Sequence, residues 1–426
     1  MLHFVQHDIK TDAIMPSRRE FLRGAGRWGL ILGGAGALLS SPAWFKRLVR
    51  SEWNLAYAAD RLQELIRKAP AARYWVSSQS GANCEACHTP AEYQADPRHH
   101  HQEASIKCLL CAQACLIAPG ERGGCRARFN DRGTLRSLVY GRPISIHTDP
   151  IEKKPFYHFL PGSAAYSLAT SGCPLHCRFC QNWEISQIRP EDYEVAYTPP
   201  EQIVNAASTE RAPIIAFTYN EPTVFIEYLT DIARCARDKG QRCVLISCGF
   251  MNEAPLQELC SVLDAIKIDL KGFSPDFYRK VCSAELAPVL RSIKQVSRSG
   301  VHLEIVNLVV PTLNDSDEML NGLTDWIAGE LGPDVPVHFT RFHPDYQLLN
   351  LPPTPVATLE KARDMALKKG IHYPFVGNVP GHPGNNSYCP KCGAIVIERA
   401  GFFVSRINMI DGKCKNCGQA IAGVWS

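Results

Sequence analysis

With 426 residues, 45% of them hydrophobic, the chain is long and apolar enough to bury the cores of two or three domains. Its formal net charge of +4 is small for this length and it has no basic tract, so the composition does not indicate a nucleic-acid partner. Most of the 18 cysteines lie in short clusters of the C-x-x-C type, which predicts metal ligands rather than disulfides.

Residues 1–43 have the form of a twin-arginine export signal. Arg18 and Arg19 precede a weakly apolar, glycine-rich stretch from Trp28 to Leu39, which is too short to span a bilayer. This pattern predicts export, to the periplasm or to a membrane-associated position. A chance arginine pair before an amphipathic helix is the alternative, and it would leave the protein in the cytoplasm.

The segment 44–105 contains Cys84, Cys87 and His88 in the C-x-x-C-H pattern of covalent haem attachment. Attachment of haem c outside the cytoplasm would agree with the export signal. A zinc site formed by the two cysteines and a nearby histidine is one alternative. Coincidence in a cysteine-rich chain is the other.

The next segment, residues 106–130, is predicted to be a metal-binding module. Its four cysteines form a complete C-x2-C-x3-C-x9-C ligand set: Cys108, Cys111, Cys115 and Cys125. Four thiolates leave no open coordination position, so we expect a closed site. Structural zinc and an auxiliary iron–sulfur cluster both suit thiolate ligands, and the pattern does not decide between them.

After a connector at residues 131–162, residues 163–380 are predicted to form an α/β domain. Seven β-rich segments alternate with helical patterns: AAYSLAT, APIIAFTY, RCVLISC, AIKIDL, HLEIVNLVV, PVHFTRF and YPFVGNV. This alternation predicts a parallel sheet. Because seven strands are one fewer than a closed (β/α) barrel needs, we expect an open or partial barrel, with its chemistry on the loops that follow the strands.

The first of these segments leads directly into Cys173, Cys177 and Cys180, spaced C-x3-C-x2-C. Three thiolates can hold three irons of a cubane cluster and leave the fourth iron open to the amine and carboxylate of a small molecule. Catalytic zinc sites keep an open position for the same reason. The alternative is a structural site that a distant cysteine completes.

The last segment, residues 384–426, is predicted to be a zinc ribbon. Two C-x2-C pairs supply its four ligands: Cys389, Cys392, Cys414 and Cys417. The isolated cysteines are predicted to be buried core thiols: Cys235, Cys243, Cys248, Cys260 and Cys282.

The C-x3-C-x2-C motif after the first strand of a parallel α/β domain resembles the signature of the radical S-adenosylmethionine (SAM) superfamily. The resemblance implies a [4Fe–4S] cluster that gives one electron to SAM. SAM then splits into methionine and a 5′-deoxyadenosyl radical, which abstracts a hydrogen atom from the substrate. Glu221 in TYNEP would take the place of the acid in the superfamily's Gly-Gly-Glu motif, which binds the methionine amino group, with Tyr219 and Asn220 replacing the glycines.

A resemblance to glycyl-radical-activating enzymes adds three expected contacts. Asp269 and Lys271 in KIDLK would lie beside the SAM carboxylate, and His343 would contact SAM. A purely structural role is the alternative for this histidine. Strand alternation predicts that Lys267, Asp269 and Lys271 share one face of their strand, opposite Ile266, Ile268 and Leu270. No residue is predicted to be catalytic.

A closer resemblance covers Ile106 to Ser426. Seven segments together look like the radical SAM component of the AmmeMemoRadiSam system, related to pyruvate formate-lyase-activating enzymes: CLLCAQACLIAPGERGGCRARFN, LVYGRPISIHTDPIEKKPFYHFLPGS, CQNWEISQ, FTYNEPTVF, VVPTLNDS, GNVPGH and IAGVW. The expected partners are the two other proteins of that system, an electron donor and a substrate that the pattern does not identify. A glycyl-radical-enzyme activase and a non-catalytic electron-transfer protein with iron–sulfur clusters and haem are the alternative functions.

Overall fold

The computed structural model describes residues 59–77 and 104–426, of which 59–68 are helical. The predicted export signal and Cys84, Cys87 and His88 lie outside the described residues. Every site described below belongs to the compact unit Arg61–Ser426. Within the described residues, no helix is both long and apolar enough to cross a bilayer.

The amino-terminal part of this unit is a small module of short antiparallel strands. Three strands form one sheet and two form a hairpin: β1 (Trp75–Ser77), β2 (Ile106–Cys108) and β3 (Leu116–Ile117), then β4 (Arg128–Asp131) and β5 (Thr134–Ser137). Cys108 ends β2 and Cys115 precedes β3, so the strand pair brings these two cysteines to the same end of the module. The backbone N–H of Cys108 donates to the carbonyl of Cys115 at 2.9 Å.

An eight-stranded sheet forms the centre of the unit. Its strands are β6 (Ser145–Pro150), β7 (Ala164–Ala169), β8 (Ile214–Phe217), β9 (Arg242–Ser247), β10 (Ala265–Asp269), β11 (His302–Val309), β12 (Val337–Arg341) and β13 (Pro374–Gly377). They lie in sequence order across the sheet. Strands β7 to β13 are parallel, and β6 pairs antiparallel with β7. Among the described residues β6 and β13 are the two edges, so the sheet is open.

The seven predicted strands are β7 to β13, which confirms the α/β fold and its parallel sheet. The eighth strand, β6, falls in the segment predicted to be a connector. Its sequence, SIHTDP, carries Asp and Pro, which are depleted in strands, and it is only partly buried as an edge strand. Pairing along all six residues with β7, rather than an apolar pattern, makes this segment a strand.

Helices connect the parallel strands: α1 (Trp183–Ser186), α2 (Pro200–Thr209), α3 (Ile226–Asp238), α4 (Glu253–Val262), α5 (Leu286–Ser297), α6 (Asp317–Leu331) and α7 (Val356–Lys368). The period of the sequence predicts a helix from Pro222 to Gly240. The structure has a 3-10 turn at Pro222–Phe225 that continues as α3, and Gly240 follows the helix at a φ of 69°.

The two faces of the sheet differ in what covers them. Alternate residues such as Ile215 and Phe217 pack into the core beneath the helices. The residues between them, such as Ile214, pack on the opposite face against Phe156 and Phe159. In β10 and the two residues after it the predicted alternation is confirmed: Ile266, Ile268 and Leu270 lie in the helix-side core. On the other face Lys267 and Lys271 each form an ion pair with Asp269.

A carboxyl-terminal module of short strands contains β14 (Ser387–Tyr388), β15 (Ile395–Ala400), β16 (Phe403–Ile407), β17 (Met409–Ile410) and β18 (Lys413–Cys414). It contacts the segment that precedes β7, at the amino edge of the parallel strands. His158 Nδ1 lies 2.7 Å from the carbonyl oxygen of Ala422, and Arg399 donates to the carbonyl of Tyr157 at 2.6 Å. This module therefore lies at the end of the sheet opposite the loops that follow the strands.

Candidate active site at the carboxyl edge of the sheet

The loop that follows β7 carries Cys173, Cys177 and Cys180. Cys177 is buried, and the other two are partly exposed. A hydrogen bond from the Cys282 thiol lowers the pKa of Cys177, while burial raises the pKa values of Cys173 and Cys180.

Backbone contacts hold this loop against a short π-helix, Tyr278–Cys282, that lies beyond β10. The N–H of His176 donates to the carbonyl of Cys282 at 3.1 Å, and that of Arg178 to the carbonyl of Val281 at 3.0 Å. Isolated π-helical turns occur frequently at functional sites. Here the turn brings the Cys282 thiol to Cys177.

The end of β8 is tied to the same loop by two asparagines. Asn220 Nδ2 donates to the carbonyl of Gly172 at 2.8 Å, and Asn182 Nδ2 donates to the carbonyl of Tyr219 at 2.8 Å. The Oδ1 atom of Asn220 is buried without a hydrogen-bond partner. A buried acceptor of this kind is costly to leave unpaired, so it marks a place where a ligand donor would be stabilised.

Glu221 lies next along the chain and is only 2% exposed. Its carboxylate accepts hydrogen bonds from both the N–H and the hydroxyl of Thr223, from Ser247 Oγ at 2.9 Å and from the N–H of Cys248 at 2.7 Å. A carboxylate has about four acceptor positions. Glu221 therefore joins the ends of β8 and β9, and an incoming ammonium would have to replace one of these donors.

Asp269 and Lys271, at the end of β10, form an ion pair in which Lys271 Nζ lies 3.2 Å from Asp269 Oδ2; Lys267 bonds the other oxygen. Burial opposes the charge on Asp269, but the two lysines hold the pKa of this carboxyl below its usual value. Burial also opposes the charge on Lys271, yet Asp269 and the thiols of Cys177 and Cys282 raise the pKa of this lysine. A stable ammonium therefore lies close to Cys177.

His343 follows β12 and is exposed, with its Nδ1 2.9 Å from the carbonyl oxygen of Pro344. Its loop reaches the cysteine loop through Tyr346, whose ring stacks on that of Trp183 at 5.2 Å, and through the Gln347 N–H, which donates to the carbonyl of Arg178 at 3.0 Å. The structure thus brings the loops after β7, β8, β9, β10 and β12 to one edge of the sheet.

Two residues of this site were predicted to be only core thiols. Cys248 and Cys282 are buried, as predicted, but Cys248 donates its N–H to Glu221 and Cys282 bonds Cys177. The position of Cys248 directly after β9 is a signal that could have indicated it, because ligands bind at the carboxyl ends of such strands. Of the other isolated cysteines, Cys243 is buried, whereas Cys235 and Cys260 are partly exposed.

The four carboxyl-terminal cysteines converge on one point. The ligand atoms of Cys389, Cys392, Cys414 and Cys417 all lie within 4.8 Å of one another, and no other such group of three or more occurs among the described residues. A hydrogen bond from Asn416 Nδ2, at 3.3 Å, lowers the pKa of Cys392 to about 6. The geometry and the softness of four thiolates suit a single metal ion.

The four amino-terminal cysteines are arranged differently. Cys108, Cys111, Cys115 and Cys125 line one cavity, but no three of their sulfur atoms approach within 4.8 Å of one another. The cavity also touches Pro174, which is adjacent to Cys173. This cysteine set therefore lies directly beside the cysteine loop that follows β7.

Comparisons with known proteins agree with this geometry. The model of the radical SAM superfamily matches residues 167–323. An uncharacterised protein of Methanocaldococcus jannaschii is 45% identical over 318 residues, which cover 74% of this chain and 95% of that protein. The pyruvate formate-lyase-activating enzyme of Streptococcus mutans is 24% identical over 165 residues, covering 37% of this chain and 63% of that enzyme.

Among solved structures, a radical SAM methyltransferase from Sphaerobacter thermophilus matches with a TM-score of 0.41 and 15% identity, over 51% of this chain and 67% of that one. The similarity to the Methanocaldococcus jannaschii protein covers almost the whole length of that protein. The chain therefore belongs to the same family as the Methanocaldococcus jannaschii protein, and its residues 167–323 form a radical SAM domain.

Proposed function

We propose that the protein is a radical SAM enzyme whose [4Fe–4S] cluster is held by Cys173, Cys177 and Cys180. The observation that carries the proposal is the convergence of these thiols with the Lys271 ammonium and the unpartnered Asn220 Oδ1 at one edge of the sheet. When bound, such a cluster supplies one electron to SAM, and the cleavage gives methionine and a 5′-deoxyadenosyl radical.

The residues around the thiols fit both groups. Three thiolates with no fourth cysteine in the motif match a cluster that keeps one position open. Lys271 offsets the negative charge of the thiolates and offers a cation to the SAM carboxylate. Asn220 Oδ1 is placed to accept from the SAM ammonium, and Glu221 holds the neighbouring strand ends in register for it.

The test is anaerobic reconstitution, reduction with dithionite, addition of SAM and measurement of 5′-deoxyadenosine. We expect product from the parent protein and none from Cys177→Ala. Cys243→Ala is the control, because this thiol is also buried but lies within β9 rather than in the cysteine loop. No product from parent protein with a fully loaded, reduced cluster would favour a non-catalytic electron-transfer protein.

A glycyl-radical-enzyme activase is the second candidate, favoured by the similarity to the Streptococcus mutans enzyme. Its product is a glycyl radical on a partner protein, which electron paramagnetic resonance detects directly. From the resemblance to the AmmeMemoRadiSam system we propose the two other proteins of that system as partners.

For the carboxyl-terminal cysteines we propose a zinc ion in a zinc ribbon. The convergence of the four thiols on one point supports this proposal.

A further inference from the structure

We propose that Cys108, Cys111, Cys115 and Cys125 hold a second, closed iron–sulfur cluster that passes electrons to the cluster at Cys173, Cys177 and Cys180. The cluster assignment stands on its own geometry, whereas the electron transfer rests on the function proposed above. The electron would come from a low-potential one-electron donor protein. In each transfer the second cluster is oxidised by one electron and the first is reduced by one.

The spacing of the sulfur atoms distinguishes a site for an iron–sulfur cluster from a site for a single metal ion. Thiolates that share one tetrahedral ion crowd together, as the four carboxyl-terminal cysteines do. Thiolates that bind different irons of a cluster are held farther apart. The amino-terminal four line one cavity, but no three of their sulfur atoms lie within 4.8 Å of one another, and the same holds for the three cysteines of the loop after β7.

The cavity wall carries a buried guanidinium with one N–H that has no hydrogen-bond partner. Arg128 lines the cavity and is 1% exposed. Its Nη2 atom bonds both carboxylate oxygens of Glu227, at 2.8 and 2.9 Å, and its Nη1 donates to the carbonyl of Arg73 at 3.1 Å. The Nε atom is buried with no partner. A thiolate-ligated cluster beside it would supply the missing acceptor.

The second site touches the first. Gly172 packs so closely on Cys125 that a Cβ atom at position 172 would clash with the Cys125 carbonyl oxygen. Gln113 Nε2 donates to the carbonyl of Pro174 at 2.9 Å, and Pro174 lines the cavity next to Cys173. A wall residue of the second site, Pro174, is therefore the direct chain neighbour of Cys173, a ligand of the first.

The exposure of the thiols indicates the direction of electron flow. Cys108, Cys111 and Cys125 are buried, whereas Cys115 is partly exposed and accepts a hydrogen bond from the N–H of exposed Gly124 at 3.4 Å. A donor protein can approach at Cys115. Because all four thiols are used as ligands, no iron is left open for a substrate, which fits a relay and not a second reaction centre.

Metal content tests the assignment without activity. We expect the variant Cys173→Ala/Cys177→Ala/Cys180→Ala to retain about four irons and as much sulfide per chain after reconstitution, and to give an iron–sulfur electron paramagnetic resonance signal when reduced. The parent protein should give a spin count about twice that of the variant. Zinc without iron or sulfide at this site would overturn the proposal, and so would a parent protein with the spin count of one cluster.

A second variant tests the relay. With Cys115→Ala we expect 5′-deoxyadenosine formation driven by reduced flavodoxin to fall about tenfold or more, and formation driven by dithionite, a small reductant that can reach the first cluster directly, to fall less. Cys260→Ala, a partly exposed thiol in α4, is the control. An equal fall with both reductants would refute the relay. If no variant or parent cleaves SAM, the function proposed above fails, while the iron content still decides the second cluster.

Discussion

Asn220 and Glu221 are adjacent at the end of β8, yet they differ in the hydrogen-bonding capacity that remains to them. The Glu221 carboxylate already accepts from Thr223, Ser247 and Cys248, whereas Asn220 Oδ1 is buried and unpaired. The residue that replaces a glycine of the superfamily motif therefore offers the free acceptor. We infer that the role expected of the acid is divided between two side chains here.

Asn220→Ala should weaken SAM binding about tenfold, because the variant lacks the one unpaired acceptor at this position. Asn220→Asp keeps an oxygen there and should bind more tightly than the alanine variant. Binding is measured at equilibrium on reconstituted protein of equal iron content, since Asn220 also bonds Gly172 beside the cysteine loop. Exposed Asn350→Ala is the control. Unchanged affinity in Asn220→Ala would show that SAM does not use this oxygen.

At the scale of single residues, the sequence identified the three cysteines of the loop but not the residues that contact them. The spacing of Cys173, Cys177 and Cys180 is local and visible in the sequence. The contact of Cys282 with Cys177 depends on a π-helical turn more than a hundred residues away, which no local pattern specifies. The sequence placed Glu221 at the end of a strand as an expected SAM contact, but its hydrogen bonds with Ser247 and Cys248 follow from the pairing of β8 with β9.

At the scale of elements, the seven parallel strands were predictable because short β-rich segments alternate with helical patterns along the sequence. Strand β8 is buried at all four positions. The edge strand β6 was not predictable in this way, since none of its six residues is fully buried and its register comes from β7. The contacts between modules and loops were not predictable from the sequence either, because they join segments that lie far apart along the chain.

The carboxyl-terminal module should be separable from the radical chemistry. Cys392→Ser removes a thiol from the converged set, so we expect about one zinc per chain to be lost and the module to be destabilised. The remaining folded protein should still form 5′-deoxyadenosine, because the module contacts the amino edge of the sheet. Zinc is measured by elemental analysis, with Cys235→Ser as the control. Unchanged zinc content would contradict the ribbon.

At the scale of the whole molecule, the candidate active site and the carboxyl-terminal module lie at opposite ends of the sheet. The cysteine loop and Lys271 occupy the carboxyl edge, and the carboxyl-terminal module closes the amino edge through His158, Arg399 and Tyr157. His158 is fully buried between Ala422 and Ser387, at 2.7 and 2.9 Å. Burial lowers its pKa from about 6.5 to about 3. We therefore expect this junction to be destabilised by acid.

In mildly acidic solution the unfolded chain binds a proton at position 158 and the folded protein does not, so stability falls as the pH drops below the unfolded pKa. Between about pH 5 and 6, His158→Gln should reduce the slope of unfolding free energy against pH by about 1.4 kcal/mol per pH unit. Urea titrations measure it. The control is His372→Gln, an exposed histidine paired with Asp334 at 2.9 Å. Parallel slopes for the parent and His158→Gln would disprove this linkage.

The amino-terminal module supports several loops of the active edge at once. Gln113 bonds the carbonyls of Pro174 and Ser283, and Asn252 Nδ2 donates to the carbonyl of Leu109 at 2.8 Å. If metal holds this module together, damage by air is not confined to the redox centres. Oxygen that strips the second cluster would also release the loops that shape the SAM pocket. Protein handled aerobically would then lose its ligand affinity together with its colour.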